Sequence, residues 1–296
     1  MPKAFPGSFI RGFTVLFVLG AALADAEAGK PRTVTGEAVS ADGTKIAYTV
    51  RGTRGPALVF VHGWTGDAGV WDAQVDAFSP RYRVVTLDLA GHGKSADTRK
   101  EWTIPRFGED VLAVLKVLRL RHAVLVGHSM GGPVILETAR MATGGEVAAL
   151  VPVDTLHKLD RSMSPDQIQT FVGLLKKDFV AGCRDALAPH LFAPGTDPAL
   201  KTKVLDKMTA ASPEIAVPAM ENLLKWDPRG WAGSLSCPVR AVNADLAPTD
   251  IEANRKFIKD YEVVVLKGRG HFPMMEAPEE FNRALGQILD RLFLKE

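Results

Sequence analysis

The sequence predicts an α/β fold: a mostly parallel central sheet flanked by helices, with a helical cap inserted after the sixth strand. Three observations carry this. Short continuous apolar runs, such as "ALVFV", "HAVLVG" and "VAALVPV", recur along the chain, as expected of strands buried on both faces. Amphipathic stretches with helical spacing separate them. From Thr155 to Leu235 no strong strand pattern occurs, and strands then resume. With 296 residues, 46% of them apolar, the chain is long enough for one sizeable domain carrying an inserted subdomain.

The elements follow in order. The first residues read as a targeting segment. Lys3 and Arg11 precede an apolar run from Phe13 to Leu23, and Ala22-Leu23-Ala24 and Ala26-Glu27-Ala28 are small-residue cleavage sites. The run is shorter than the ~20 residues a membrane span needs, so export and cleavage are expected, with no stable membrane span afterwards. Residues 1–24 are expected to be the signal peptide, residues 33–154 and 236–296 the core, and residues 155–235 the cap. Loss of residues 1–24 removes two basic residues and no acid, so the formal charge falls from +2 to zero. A neutral chain has no electrostatic footprint for nucleic acid.

"GEAVSADGTKIAYTVRG" alternates apolar and polar residues around Asp42-Gly43, which predicts a hairpin. "PALVFVHG", "YRVVTLDLAGHG" and "HAVLVGHS" predict buried strands, with "FGEDVLAVLKVLRL" as a helix between the last two. "VAALVPVDT" is the sixth strand. In the cap, Pro165, Pro189, Pro194, Pro198, Pro213 and Pro218 read as helix breaks. Its apolar side chains, among them Met163, Leu175, Phe179, Met208, Met220 and Trp226, must both hold the cap to the sheet and line a pocket for a small apolar substrate. "CPVRAVN" and "YEVVVLKG" complete the sheet, and "APEEFNRALGQILDRLFL" closes the chain as a helix. Cys183 and Cys237 fall in helical and strand patterns, so buried thiols are expected rather than a bridge, and two cysteines alone make no metal site.

"VLVGHSMGG" places Gly127, Ser129 and Gly131 as G-x-S-x-G between an apolar strand and a helix, the setting of a nucleophile elbow. A serine hydroxyl needs lifting off the sheet and a base beside it before it can attack, and the sharp turn requires small neighbours. His271, in the glycine loop after the last strand, follows Ser129 in the chain and is the candidate base. His62 and His128 are expected to brace their loops by hydrogen bonds, and His92 to be a structural turn residue. His122 is expected at the surface, and His157 and His190, in the insertion, are possible pocket residues. Two backbone amides are needed for an oxyanion, and those of Met130, after the serine, and Trp64, after His62-Gly63, are the candidates.

Taken together, "HGW", "DLAGHGKS", "GHSMGG" and "GRGHFPMMEAPEEFN" resemble the α/β-hydrolase superfamily, over roughly residues 33–296. The resemblance implies an eight-stranded, mostly parallel sheet, a cap after strand six and no cofactor. Ser129 argues against the members with an aspartate nucleophile. Esterases, lipases, lactonases, thioesterases, C–C bond hydrolases and cofactor-free perhydrolases remain, as does a non-catalytic ligand-binding protein of the same fold.

The usual acid of that family follows strand seven in a pattern like G-D-x-D-P, and here Ala247 stands in its place, within Ala244-Asp245-Leu246-Ala247-Pro248. Three carboxylates are candidates. "TDIE" fits a capping box with Thr249 as cap and Glu252 reaching back, which occupies Asp250 poorly for catalysis. Asp245 lies close to the expected place but in a turn-stabilising position. Asp154 ends the sixth strand, beside the strand that carries Ser129, at the sheet edge where ligand-facing residues collect. In some similar hydrolases the acid follows strand six, with "VDT" there. Asp154 is therefore the expected acid, with a helix-capping role as its alternative.

Overall fold

The structure, a computed structural model, describes residues 32–160 and 162–293. The targeting segment lies outside the described residues. The elements run β1 (Thr33–Val39), β2 (Lys45–Arg51), β3 (Ala57–Val61), α1 (Asp72–Phe78), β4 (Arg83–Leu87), α2 (Ile104–Val117), β5 (Ala123–His128), α3 (Gly131–Met141) and β6 (Val147–Val153). Helices α4 (Pro165–Lys177), α5 (Phe179–Ala181), α6 (Pro198–Thr209) and α7 (Pro213–Lys225) follow. The chain closes with β7 (Val239–Ala244), α8 (Ile251–Arg255), β8 (Tyr261–Leu266), α9 (Pro273–Glu276) and α10 (Pro278–Phe293).

Eight strands form one sheet in the order β1-β2-β4-β3-β5-β6-β7-β8. The β1–β2 and β2–β4 pairs are antiparallel and the other five are parallel. Asp42-Gly43 turns the first hairpin, with Gly43 at φ 86° and the Asp42 carboxylate accepting the Thr44 amide at 3.0 Å. The parallel pairs need crossovers, and these are the helices.

The period of two sorts the side chains of β3 and β5 onto two faces. Leu58, Phe60, Val124 and Val126 pack with Trp71 and with Phe281, Leu285 and Leu289 of α10. Val59, Val61 and Leu125 pack on the opposite face with α2 and α3, through Phe107, Val111, Leu115, Val134 and Ile135. Each such fully buried side chain is worth about 1.5–3 kcal/mol of transfer free energy, so the two faces together dominate the hydrophobic stabilisation. Helix α2 starts at Ile104, upstream of the predicted Phe107, because Thr103 accepts the Arg106 amide and Pro105 suits the first turn.

Between β6 and β7 the described chain forms helices only, with a core of their own around Ile168, Val172, Leu175, Phe179 and Met220. Its prolines do not all break helices. Pro165, Pro198 and Pro213 start α4, α6 and α7, where the missing N–H would have had no partner. Pro218 lies inside α7, at the cost of one backbone hydrogen bond. Among the described residues no helix is long and apolar enough to cross a membrane.

Candidate active site

Strand β5 delivers the serine. Ser129 sits between β5 and α3 in the left-handed region, at φ 52°, which costs a non-glycine residue energy and persists only where its surroundings hold it. Its N–H donates to Val153 O at 2.9 Å and its carbonyl accepts the Gly132 amide at 2.9 Å. The glycines make this turn possible. A Cβ on Gly127 would lie 2.2 Å from Gly131 O, and one on Gly131 would lie 2.6 Å from Val61 O. Met130 caps α3, and no hydrogen bond among the described residues takes up its backbone N–H.

The end of β6 delivers a carboxylate. Asp154, also left-handed at φ 46°, is 5% exposed and donates its own N–H to Val242 O of β7 at 3.0 Å. Its Oδ1 accepts the Ala244 amide at 2.9 Å. Its Oδ2 lies 2.6 Å from His271 Nδ1. An ionised carboxylate only accepts, so Nδ1 carries the proton and Nε2 is left as a base. Burial works to raise the Asp154 pKa, but the hydrogen bond and charge of His271, with His157 and the Ala244 amide, hold it below the ordinary carboxylate value.

The histidine loop is held on three sides. His128 Nε2 donates to His271 O at 2.7 Å, and the His271 N–H donates to Leu191 O of the helical segment at 2.7 Å. Glu276 accepts the Gly270 amide at 2.9 Å and the Thr196 hydroxyl at 3.0 Å. Ser129, Met130, Asp154 and His271 line one cavity of about 520 Å³, together with His157, His190, Leu191 and Ala247.

The other expected residues fall elsewhere. Asp245 is exposed and accepts the Gly268 amide at 2.7 Å. Asp250, not Thr249, caps α8 by accepting the Ala253 amide at 2.9 Å, and Glu252 turns to Arg255. Thr249 is drawn off by Asn243, a fully buried residue whose amide donates to its hydroxyl at 2.9 Å. Trp64 lies in the turn after β3, and no hydrogen bond among the described residues takes up its backbone N–H. Its indole donates to Ala216 O of α7 at 2.7 Å, and its side chain walls a separate cavity of about 240 Å³ with Lys207 and Phe272. Cys183 and Cys237 are free thiols, and burial pushes both up to about 11, so neither is a thiolate at neutral pH.

Pattern reasoning missed Glu276, Asn243 and the closeness of His157, whose Nε2 stands 3.6 Å from Asp154 Oδ1. Asn243 reaches Thr155 across 88 positions and Glu276 reaches Thr196 across 80. His157, however, lies only three residues from Asp154, and Glu276 falls within the "GRGHFPMMEAPEEFN" stretch, so these two could have been weighed from the sequence.

Buried imidazoles give an expected pH response. His62 accepts the Leu89 amide at 3.0 Å and donates to Gly63 O at 2.8 Å, and His92 donates to Ala90 O at 2.9 Å. Burial lowers the pKa of both, and pushes His128 down to about 3. Below about pH 6.5 the unfolded chain takes up protons that the folded one refuses, so stability is intact above that pH and falls below it. For His128 the loss at pH 5 is about 2 kcal/mol. Asp110, which burial raises to about 6, binds a proton in the folded state over the same range and offsets about 1 kcal/mol. Urea unfolding at pH 7.5 and pH 5 is expected to show a net loss, smaller in His128→Asn. Equal stability at both pH values would contradict neutral buried histidines.

The profile described as the alpha/beta hydrolase family matches residues 58–284. The chain belongs to the α/β-hydrolase family. It is 31% identical over 249 residues to the dihydrolipoyllysine-residue acetyltransferase component of an acetoin cleaving system from Pseudomonas putida, covering 80% of this chain and 64% of that protein. It is 24% identical to 3-oxoadipate enol-lactonase 2 from Acinetobacter baylyi, over 80% of this chain and 89% of that one. Among solved structures, the bromoperoxidase from Bacillus anthracis superposes with a TM-score of 0.75 at 26% identity, covering 87% of this chain and all of that one. This α/β-hydrolase spans 64% of the length of the Pseudomonas putida relative and carries an eight-stranded sheet.

Proposed function

We propose that this α/β-hydrolase cleaves carboxyl esters or related acyl compounds through an acyl-enzyme on Ser129. The observation that carries the reading is the 2.6 Å contact between His271 Nδ1 and Asp154, in the cavity that Ser129 also lines. It leaves Nε2 free to take the serine proton. Ser129 Oγ attacks the carbonyl carbon while His271 accepts its proton, and the amides of Met130 and Trp64 stabilise the oxyanion. His271 then protonates the leaving group. Water, deprotonated by the same imidazole, releases the acid and restores Ser129. Asp154 stabilises the imidazolium and fixes its tautomer. No step draws on a cofactor. A fluorophosphonate probe tests this: it should modify the protein once, at Ser129. Modification at another serine, or none, would end the reading.

The likeness to the bromoperoxidase structure favours a second acyl acceptor. Hydrogen peroxide in place of water would turn the same acyl-enzyme into a peracid.

Export is also proposed, on Lys3, Arg11 and the apolar run that follows. N-terminal sequencing of the secreted or periplasmic protein is expected to begin between Asp25 and Gly29. An intact Met1 in a membrane fraction would favour an anchor.

A further inference from the structure

Two cavities meet below α7. The cavity that holds Ser129 and His271 is walled on one side by Leu156, His157, Leu223 and Ala247. The same four residues wall a groove of about 700 Å³ that continues away from the serine. Beyond them the groove is lined by apolar side chains, notably Leu159, Met163, Ile168, Leu224 and Trp226. Its charged rim residues are already engaged: Arg229 with Asp227 at 2.6 Å, Lys225 with Glu221 at 2.6 Å, and Lys158 with Asp250 at 3.2 Å. Walls of this kind suit an uncharged chain rather than an anion.

One of the four residues at this junction has almost no side chain. Ala247 is exposed and carries only a methyl group, at the position where the resemblance places the usual acid. Asp154 meets His271 from β6 instead, so no carboxylate need stand at 247. We propose that the groove binds a linear alkyl chain of the substrate, and that Ala247 is the gap through which this chain leaves the serine site. The claim deepens the hydrolase reading and rests on it for the chemistry. The alkyl chain could stand on the acyl or on the alcohol side of the scissile bond, and the chemistry that recognises it is the same.

Ala247→Phe closes the gap without disturbing the core, since residue 247 is exposed. Three measurements on the full-length protein and this variant test the groove. The first is kcat/KM on p-nitrophenyl acetate against p-nitrophenyl octanoate. The second is kcat/KM on methyl against octyl butyrate. The third is decanoate binding by calorimetry, which needs no turnover. In the unaltered protein, one of the two ester series should rise with chain length by about three- to fourfold per methylene buried. Ala247→Phe should lower that long-to-short ratio, and the decanoate affinity, by at least about tenfold. The series that responds identifies the side of the bond. Length-independent rates in both series, or a ratio and affinity that Ala247→Phe does not move, would overturn the groove. Ala247-dependent decanoate binding without hydrolysis of any ester would leave the groove standing and remove the hydrolase reading. Ester hydrolysis that Ala247→Phe alters equally at every chain length would do the reverse.

Discussion

Ser129→Ala is expected to lower kcat for ester hydrolysis by about 10⁶-fold, the scale on which loss of the nucleophile acts in serine hydrolases. The change deletes one oxygen. Alanine meets the same strain as serine at φ 52°, and the hydrogen bonds of residue 129 to Val153 and Gly132 use backbone atoms only. The fold should therefore survive, and thermal unfolding should match the unaltered protein within a few degrees. Whatever activity remains would come from the oxyanion amides and binding. Titrating active sites with the fluorophosphonate before and after the substitution guards against a contaminating hydrolase. A variant that is folded, unlabelled and still active at more than about a hundredth of the original rate would remove Ser129 from the chemistry.

Asp154→Asn is expected to lower kcat by about 10⁴-fold, for a reason visible in its hydrogen bonds. Oδ1 must keep accepting the Ala244 amide at 2.9 Å, so the asparagine oxygen takes that place. Its NH₂ group then faces His271 Nδ1, where Oδ2 stood at 2.6 Å. A donor there forces the proton onto Nε2, and the imidazole can no longer accept from Ser129. Asp245→Asn keeps an acceptor for the Gly268 amide and should cost only a few-fold. Ala247 lines the same cavity as His271 and Asp154, so Ala247→Asp should return part of the activity of Asp154→Ala. That rescue is best read on p-nitrophenyl acetate, whose chain is too short to need the groove. Circular dichroism should confirm folding in each variant. If Asp154→Asn stays active while Asp245→Asn is dead, the acid lies after β7. If both stay active, Asp154 serves the backbone of the β6–β7 edge and the histidine works unpartnered.

The sequence by itself determined the strands of the central sheet, the helices that cover it and the elbow at Ser129. These are local features. The alternation of side chains in β3, the apolar stripe of α10 and the tight glycine turn before α3 are set by residues within a few positions of one another. It also ranked Asp154, by strand adjacency, above Asp245 and Asp250 as the histidine partner. Only the tertiary structure decided which of these carboxylates meets His271. That contact spans 117 positions and depends on the register of β6 on β7, which pairs Val153 with Val242 and points Asp154 at both the Ala244 amide and the imidazole. The α8 cap was settled over a shorter range: Asn243, six positions upstream, holds the Thr249 hydroxyl, and Asp250 takes the cap. A polar side chain has several acceptors and donors of nearly equal worth, about 1 kcal/mol each, and its choice among them is made by whichever distant backbone the packed sheet brings within 3 Å.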